Sequence, residues 1–338
     1  MKKIAVFHTG GTISMKKDSA GGVDVRGGNA LVGGVAALMD DFLAKYPVEL
    51  IQEQIFEIAS PQMTEDHMFK LRQAILAIKD KVDGAVFTHG TDTLEETSYF
   101  LDMTVPHTLP IVGIGAMRSF NEVGSDAVRN YQSAILTAMS DEAKNMGTMV
   151  VMNEEIHAAR SVTKTHSQNV ATFASPGYCY IGTLAADGSV SFGRRLKDVP
   201  CYDISGMSKK VMLIKTFAGI DDTVFDAFEA LAEKQGRFPL DGLVIEALGV
   251  GNVPARIVHN LQRIEKRGVP MVLTSRCLFG SAQTVYSYAG GGKSLKSEEV
   301  KGIIFAPNLN GPKARLKLAV LLEMGKSNAE IEAEFAIG

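Results

Sequence analysis

Apolar residues in this chain fall in short runs, each followed by a glycine-bearing loop and then by a stretch of helical periodicity. Short apolar runs bounded by loops are typical of strands buried in a parallel sheet. The pattern predicts strands at 3–7, 84–87, 110–113, 149–152, 211–215, 243–246, 271–274 and 303–305. Helices are predicted at 66–78, 94–103, 122–139, 223–234, 255–266 and 312–324. This alternation indicates an α/β fold with parallel-type sheets flanked by helices.

The pattern changes near the middle of the chain. Residues 181–192 alternate apolar and polar around Asp187-Gly188, which predicts a β-hairpin, and a charged, proline-bearing stretch follows. The 338 residues fit two domains of about 150 residues better than one core, although a single large barrel is an alternative. We predict a larger N-terminal domain at 1–192, a linker at 193–210 and a smaller C-terminal domain at 211–338.

Composition narrows the functional class. With 46% hydrophobic and 22% charged residues, the chain is typical of a soluble globular protein. Its 35 basic and 38 acidic residues give a net charge of −3, without the basic surface that nucleic-acid binding needs. No apolar run approaches the ~18 residues of a membrane span, and the first residues lack the features of a signal peptide. We therefore expect a cytoplasmic protein without nucleic-acid or membrane partners.

Cysteines and known cofactor motifs offer no metal or nucleotide site. The three cysteines are odd in number and lack CxxC spacing, which predicts reduced, mostly buried thiols at Cys179, Cys201 and Cys277. The triplet at 290–292 lacks the first glycine of a P-loop, and the pair at 113 and 115 lacks the third glycine of a dinucleotide fingerprint. No zinc spacing or serine-hydrolase elbow occurs. We expect no cofactor, no metal and structural histidines at His8, His89, His157 and His166.

Two loops are unusually rich in hydroxyls and glycines. Thr9-Gly10-Gly11-Thr12 follows the first predicted strand, and Thr88-His89-Gly90-Thr91-Asp92-Thr93 follows the second. Ligands of parallel α/β sheets bind beyond the carboxyl ends of the strands, and neighbouring strands would bring Thr12 and Thr91 together. Hydroxyls, the Asp92 carboxylate and free N–H groups suit a polar ligand and an oxyanion.

The helix after the second loop is predicted to begin with Thr93 as its N-cap and Glu96 as the capping-box partner, which leaves Thr91 and Asp92 on free loop backbone. The alternative is that these threonines and the aspartate only cap the helix. A catalytic threonine, in contrast, needs a base, since its free hydroxyl is a poor nucleophile. Lys164 is a candidate base because the stretch at 159–166 is too polar for a core element. The alternative for Lys164 is a solvated surface lysine.

The two loops resemble the two signatures of the bacterial-type L-asparaginases, the asparaginase/glutaminase family. The resemblance continues through the blocks at 115–118, 160–164, 171–173, 249–252 and 310–315, which stand in the family's order and span nearly the whole chain. It implies hydrolysis of the side-chain amide of L-asparagine to L-aspartate and ammonia by a threonine nucleophile, without metal or cofactor. Weak L-glutaminase activity is a further expectation.

The same resemblance assigns roles to residues. Thr12 matches the nucleophile, and Thr91, Asp92 and Lys164 match a second triad that activates the first hydroxyl or water. Ser60 matches the residue that holds the substrate's α-carboxylate, Asp92 also pairs with the α-ammonium, and Ala116 offers its carbonyl to the leaving amide. Gly11 and Gly90 complete the expected substrate-binding set.

Family membership also implies an assembly: a homotetramer built from close dimers, with active sites between subunits. The sequence does not decide between a dimer and a tetramer. It also does not decide whether asparagine or glutamine is the preferred substrate, since one methylene changes the binding free energy by only ~1–3 kcal/mol. Allosteric activation by asparagine is likewise open. The chain lacks the features of a signal peptide, and at Pro254 and Ala289 it departs from the residues that some relatives carry. In these respects it resembles the cytoplasmic type I branch of the family.

Other departures concern the site itself. Residues 14–30 contain no tyrosine, although family members usually carry one there that contacts the nucleophile, and Pro61-Gln62 replaces a polar residue and an aspartate. The stretch from Ser14 to Gly34 contains six glycines and no aromatic residue, which predicts a mobile lid that closes over Thr12.

Two rival functions follow from the same residues. The amidase subunit of a tRNA-bound amidotransferase resembles asparaginases behind an added N-terminal domain, whereas here the first predicted strand begins at Lys3. A non-catalytic amino-acid sensor would bind asparagine without releasing ammonia, and the missing tyrosine favours that alternative.

Overall fold

The computed structural model describes residues 1–14, 16–17, 23–24, 36–196 and 200–337. It divides into two compact units, Met1–Tyr202 and Asp203–Gly338. Most of the lid predicted at 14–34 lies outside the described residues; within it, Lys16–Lys17 pairs with Val23–Asp24. The exact domain and linker bounds proposed from the sequence stay predictions.

The first unit is built on an eight-stranded sheet. Eight of the unit's described strands form this sheet, and the other four form the two-stranded ladders β2–β3 and β9–β10. The strands are β1 (Lys2–Gly10), β2 (Lys16–Lys17), β3 (Val23–Asp24), β4 (Val48–Ile58), β5 (Gly84–Thr88), β6 (Ile111–Ile114), β7 (Thr148–Met152), β8 (Glu155–Ala158), β9 (Thr163–Lys164), β10 (Phe173–Ala174), β11 (Gly182–Leu184) and β12 (Val190–Phe192). Its helices are α1 (Ala36–Lys45), α2 (Glu65–Ile78), α3 (Leu94–Thr104) and α4 (Ala127–Met139), with 3-10 turns at Thr12–Ser14, Ser60–Gln62 and Asp141–Ala143.

Strand order in this sheet is β12-β11-β8-β7-β6-β5-β1-β4. The five strands from β4 to β7 run parallel, and the others pair antiparallel. Every residue of β5 is buried, as expected of a strand covered on both faces. In the register of β1 and β5, His8 lies opposite Thr88, so the two hydroxyl-rich loops leave the sheet at one edge.

The second unit contains a four-stranded parallel sheet in the order β13 (Val211–Lys215), β14 (Gly242–Ala247), β15 (Met271–Ser275) and β16 (Ile304–Phe305). Its helices are α5 (Thr223–Gln235), α6 (Val258–Lys266), α7 (Gly292–Ser294), α8 (Gly311–Glu323) and α9 (Asn328–Ala336). A 3-10 turn, Ala255–Ile257, precedes α6, and a π-helical turn, Leu295–Glu299, follows α7. The chain is thus a two-domain α/β protein, as the apolar pattern predicts.

The predicted strands are confirmed to within three residues at each end, and the hairpin around Asp187-Gly188 is confirmed as well. The helix predicted at 122–139 begins instead at Ala127, because the Asp126 carboxylate binds the loop before it. Several elements were not predicted from the sequence, among them β4, whose middle is exposed at the sheet edge, the strand β8, and the helices α1 and α9. In the described ranges, no helix is both long and apolar enough to cross a bilayer.

The expectation of mostly buried thiols is wrong. The thiols of Cys179, Cys201 and Cys277 are all exposed. Each lies in a connecting segment outside the helices and strands, and connecting segments run over the surface, so the apolar character of a thiol does not bury it there.

Candidate active site

Three loops meet where β1, β4 and β5 end. Gly11, with a φ of 84°, follows β1, and a Cβ atom on it would lie 2.2 Å from the backbone nitrogen of Gly90. A Cβ atom on Gly90 would lie 2.5 Å from Ser60 Oγ, in the 3-10 turn that follows β4. Both distances are below any normal contact, so the loops approach each other this closely only because glycine stands at both positions.

Ser60 is held against the second loop by two hydrogen bonds. Its Oγ accepts from the Asp92 backbone N–H at 3.3 Å, and its carbonyl accepts from Thr93 Oγ1 at 2.9 Å. The predicted capping box is therefore wrong: Thr93 does occupy the N-cap of α3, but its side chain makes no capping bond. The hydroxyl binds the Ser60 carbonyl instead, and this contact ties the loop after β4 to the loop after β5.

Lys164 reaches the same loop from the small β9–β10 ladder, in which it pairs with Phe173. Its Nζ donates to Thr91 Oγ1 at 2.9 Å and to Asp92 Oδ1 at 2.6 Å. The lysine side chain is 16% exposed, whereas that of Asp92 is 56% exposed. Lys164 is thus not a solvated surface lysine, but a largely buried cation shared by a hydroxyl and a carboxylate.

A further hydrogen bond holds the strand that carries Lys164. Thr163 Oγ1 donates to Glu95 Oε1 at 3.0 Å, and Glu95 lies in the first turn of α3, directly after the loop that carries Thr91. The base candidate and the hydroxyl that it contacts are thereby attached to the same helix end.

His89, beneath the loop, is fully buried. Its Nδ1 lies 2.7 Å from the Gly90 carbonyl, which can only accept, so this nitrogen carries the proton and Nε2 accepts from Thr97 Oγ1 at 2.9 Å. Burial lowers the pKa of His89 to about 4, so the ring is neutral at pH 7. His89 is a structural histidine that fixes the loop backbone, as predicted.

The turn after β6 forms a third side of the site, next to the loops after β1 and β5. Ala116 is buried, and the Asp126 carboxylate accepts hydrogen bonds from the Met117 N–H at 3.0 and 3.1 Å. Asn130 Nδ2 donates to the Gly115 carbonyl at 3.0 Å. The sequence did not single out Asp126 or Asn130; a carboxylate at a helix N-cap, just after the block at 115–118, was the available signal.

These loops enclose a cavity of about 370 Å³. All eight residues proposed from the sequence border it: Gly11, Thr12, Ser60, Gly90, Thr91, Asp92, Ala116 and Lys164. Four others that were not predicted as site residues also line it: Ala59, Pro61, Met117 and Ser167. The cavity therefore combines two threonine hydroxyls, a lysine–carboxylate pair and loop backbone, which are the groups that nucleophilic attack on an amide needs.

Comparison with known proteins gives matches over nearly the whole chain. The family model "Asparaginase, N-terminal" matches residues 3–197, and "Glutaminase/Asparaginase C-terminal domain" matches residues 210–335. An L-asparaginase of Bacillus licheniformis is 34% identical over 324 residues, covering 95% of each chain. A probable L-asparaginase of Deinococcus radiodurans is 34% identical over 341 residues, covering 100% of this chain and 98% of that relative.

A solved structure agrees with these matches. The crystal structure of a probable cytoplasmic L-asparaginase from Campylobacter jejuni superposes with a TM-score of 0.83, at 28% identity and 99% coverage of both chains. Both domains of this chain thus have counterparts in one family, and its two threonine-bearing loops border one cavity. The chain belongs to the asparaginase/glutaminase family.

Proposed function

We propose that this protein hydrolyses the side-chain amide of L-asparagine to L-aspartate and ammonia through a covalent intermediate on Thr12. The observation that carries the proposal is the contact of Lys164 Nζ with both Thr91 Oγ1 and Asp92 Oδ1, at the wall of a cavity that Thr12 also lines. The resemblance supplies the substrate, and this geometry supplies the activated hydroxyl that the reaction requires.

In the proposed complex the substrate's two ends are held separately. Ser60 and the N–H group of Gly90 bind the α-carboxylate beside Gly11, and the half-exposed Asp92 binds the α-ammonium. The side-chain amide then extends towards Ala116, whose carbonyl accepts from the amide N–H. These roles match the charges of the substrate, since its α-carboxylate meets N–H and O–H donors and its α-ammonium meets a carboxylate.

Acylation begins when Thr12 Oγ1 attacks the amide carbon. A C–O bond forms, the carbonyl electron pair moves to oxygen, and loop N–H groups stabilise the oxyanion. In its reactive form the Thr91–Lys164 pair carries one proton fewer than a hydroxyl beside an ammonium, so it accepts the Thr12 proton, directly or through a water. The bond from Lys164 stabilises negative charge on Thr91 Oγ1. The pair then delivers this proton to the nitrogen as the C–N bond breaks, which releases ammonia and leaves an aspartyl ester on Thr12.

Deacylation uses the same residues with water as nucleophile. Thr91 accepts a proton from the water, the water oxygen attacks the ester carbon, and the proton returns to Thr12 Oγ1 as the C–O bond breaks. L-Aspartate leaves, and the threonine is regenerated. The groups named here suffice for both halves of the reaction.

The test is ammonia release from L-asparagine and L-glutamine by the wild type and by Thr12→Ala. We expect release from asparagine, less from glutamine, and none from the variant. Added hydroxylamine should divert the ester to aspartate β-hydroxamate in the wild type. Asparagine binding without ammonia release would favour a sensor and overturn the proposal, and full activity of Thr12→Ala would remove its nucleophile.

We further propose a cytoplasmic location and a homotetramer of close dimers with sites between subunits. The location is supported by the likeness to a probable cytoplasmic L-asparaginase, and the assembly by the family resemblance. Light scattering should show an oligomer whose activity is lost on dissociation. A fully active 36.3 kDa monomer would contradict the assembly. Cell fractionation of the producing organism tests the location.

A further inference from the structure

The carboxylate of Asp126 binds the loop in front of its own helix. It accepts from the Met117 N–H at 3.0 and 3.1 Å and from the Arg118 N–H at 3.0 Å. Asp126 is the N-cap residue of α4, where an aspartate normally accepts from the first free N–H groups of the helix, yet its side chain makes no capping bond. Departures from a local rule of this kind are typical of functional sites.

The N–H that Asp126 binds belongs to the peptide that joins Ala116 to Met117. A peptide is planar and trans, so its N–H and C=O point in opposite directions. Anchoring the Met117 N–H on Asp126 therefore fixes the direction of the Ala116 carbonyl. Both Ala116 and Met117 line the cavity.

A carboxylate on one side of a peptide also changes the other side. A charge-assisted hydrogen bond to the N–H polarises the amide and increases negative charge on its carbonyl oxygen, since hydrogen bonds in a chain strengthen each other. The Ala116 carbonyl thereby becomes a stronger acceptor. The arrangement both directs this oxygen and strengthens it.

Asn130 completes the frame around this turn. Its side chain is fully buried, and its Nδ2 donates to Asp126 Oδ2 at 2.9 Å and to the Gly115 carbonyl at 3.0 Å. Its Oδ1 accepts from the Asn153 N–H at 3.1 Å, in the turn between β7 and β8. A Cβ atom on Gly115 would lie 2.8 Å from Thr91 Cγ2, so the turn also packs against the proposed catalytic threonine.

We propose that Asp126 is a positioning residue that makes the Ala116 carbonyl an acceptor for the N–H groups of the substrate's side-chain amide, and so favours amides over esters. This inference rests on the proposed function. The nitrogen gains protons and positive charge as the C–N bond breaks, so a directed, electron-rich carbonyl stabilises the transition state more than the bound substrate. An ester offers no N–H to this oxygen.

The test compares L-asparagine with L-aspartate β-methyl ester in Asp126→Asn and Asp126→Ser. Asparagine removes the negative charge at nearly constant shape, and serine is a good N-cap that leaves the helix stable. We expect kcat for the amide to fall about tenfold or more and kcat for the ester to change less than twofold, with the melting temperature of Asp126→Ser close to that of the wild type. Asp80→Asn, the same change at an exposed carboxylate, should leave kcat unchanged for both substrates.

Equal losses for amide and ester, or no loss for either, would overturn the positioning role. Failure of both variants to fold would assign Asp126 to the stability of the domain and would overturn it as well. Failure of the proposed function has a different signature, because the wild type itself would then release no ammonia from L-asparagine.

Discussion

Lys164 Nζ donates to Thr91 Oγ1 at 2.9 Å although 73 residues separate them in the chain. The two residues come from different elements, β9 and the loop after β5, and their contact is shared with the Asp92 carboxylate at 2.6 Å. An isolated threonine hydroxyl or surface lysine would have little reactivity at neutral pH, and the contact is what makes either residue a catalytic candidate.

Removing either partner should abolish most activity without unfolding the protein. We expect Thr91→Val and Lys164→Met each to lower kcat by roughly 10²–10⁴-fold, because the proton relay is lost. The double variant should be hardly worse than the single variants, since residues that act as one unit are non-additive. Steady-state ammonia release measures all three.

Lys144→Met is the matched control for the lysine change. Lys144 is half exposed and forms an ion pair with Asp141, and neither residue lines the cavity, so kcat should be unchanged. Single losses that simply multiply in the double variant would contradict the shared unit.

Gly90→Ala should impair substrate binding by displacing Ser60. The added Cβ atom would lie 2.5 Å from Ser60 Oγ and 2.6 Å from Ser60 Cβ, so the serine must move. We expect KM for asparagine to rise at least tenfold and the melting temperature to fall by several degrees. Adding Ser60→Gly should recover stability without recovering KM, which separates the steric effect from the binding role.

Gly193→Ala serves as the control for the glycine substitution, since a Cβ atom there meets nothing within 4 Å and the φ is ordinary. It should leave both KM and the melting temperature unchanged. An unaltered KM in Gly90→Ala would mean that Ser60 does not hold the substrate.

His89 should make the protein less stable in acid. Its pKa is about 4 in the folded chain because of burial, against 6.5 for the free side chain, so between these values only the unfolded state binds the proton. The free energy of unfolding should therefore fall by up to about 1.4 kcal/mol per pH unit as the pH drops from 6.5 towards 4, and be unaffected by His89 above that range. Urea titrations at several pH values measure this slope.

His89→Gln should reduce that acid slope, although the substitution also lowers stability at every pH. His8, whose pKa burial also lowers, should contribute part of the remainder. A His89→Gln slope equal to that of the wild type would show that this ring is charged in the folded protein near pH 5.

Exhaustive chelation should leave activity intact, and no nucleotide should be needed. The proposed reaction uses two hydroxyls, an amine and backbone donors, and the sequence carries no complete metal or phosphate-binding motif. Dialysis against EDTA followed by the ammonia assay measures this. Activity that EDTA removes and zinc or magnesium restores would overturn the mechanism.

The sequence by itself determined the strand–loop–helix order and the two loops on which the site is built. Buried strands such as β5 must be apolar throughout, and parallel strands must place their following loops at one edge, so Thr12 and Thr91 were predictable as neighbours. The edge strand β4 was not predicted, because its middle residues are exposed and polar and so interrupt the apolar run that marks a buried strand. The polar stretch at 159–166 made Lys164 a candidate base, and the family motifs supplied Ser60.

Only the tertiary structure decided which partners these side chains have. Thr93 looked like a helix cap but binds the Ser60 carbonyl, and Asp126 stands at an N-cap but binds the Met117 N–H. Local sequence rules describe competition among groups a few residues apart, whereas a folded core brings distant donors and acceptors within 3 Å. A partner 73 residues away, as for Lys164 and Thr91, leaves no periodic trace in the sequence, because its geometry depends on the packing of the whole domain.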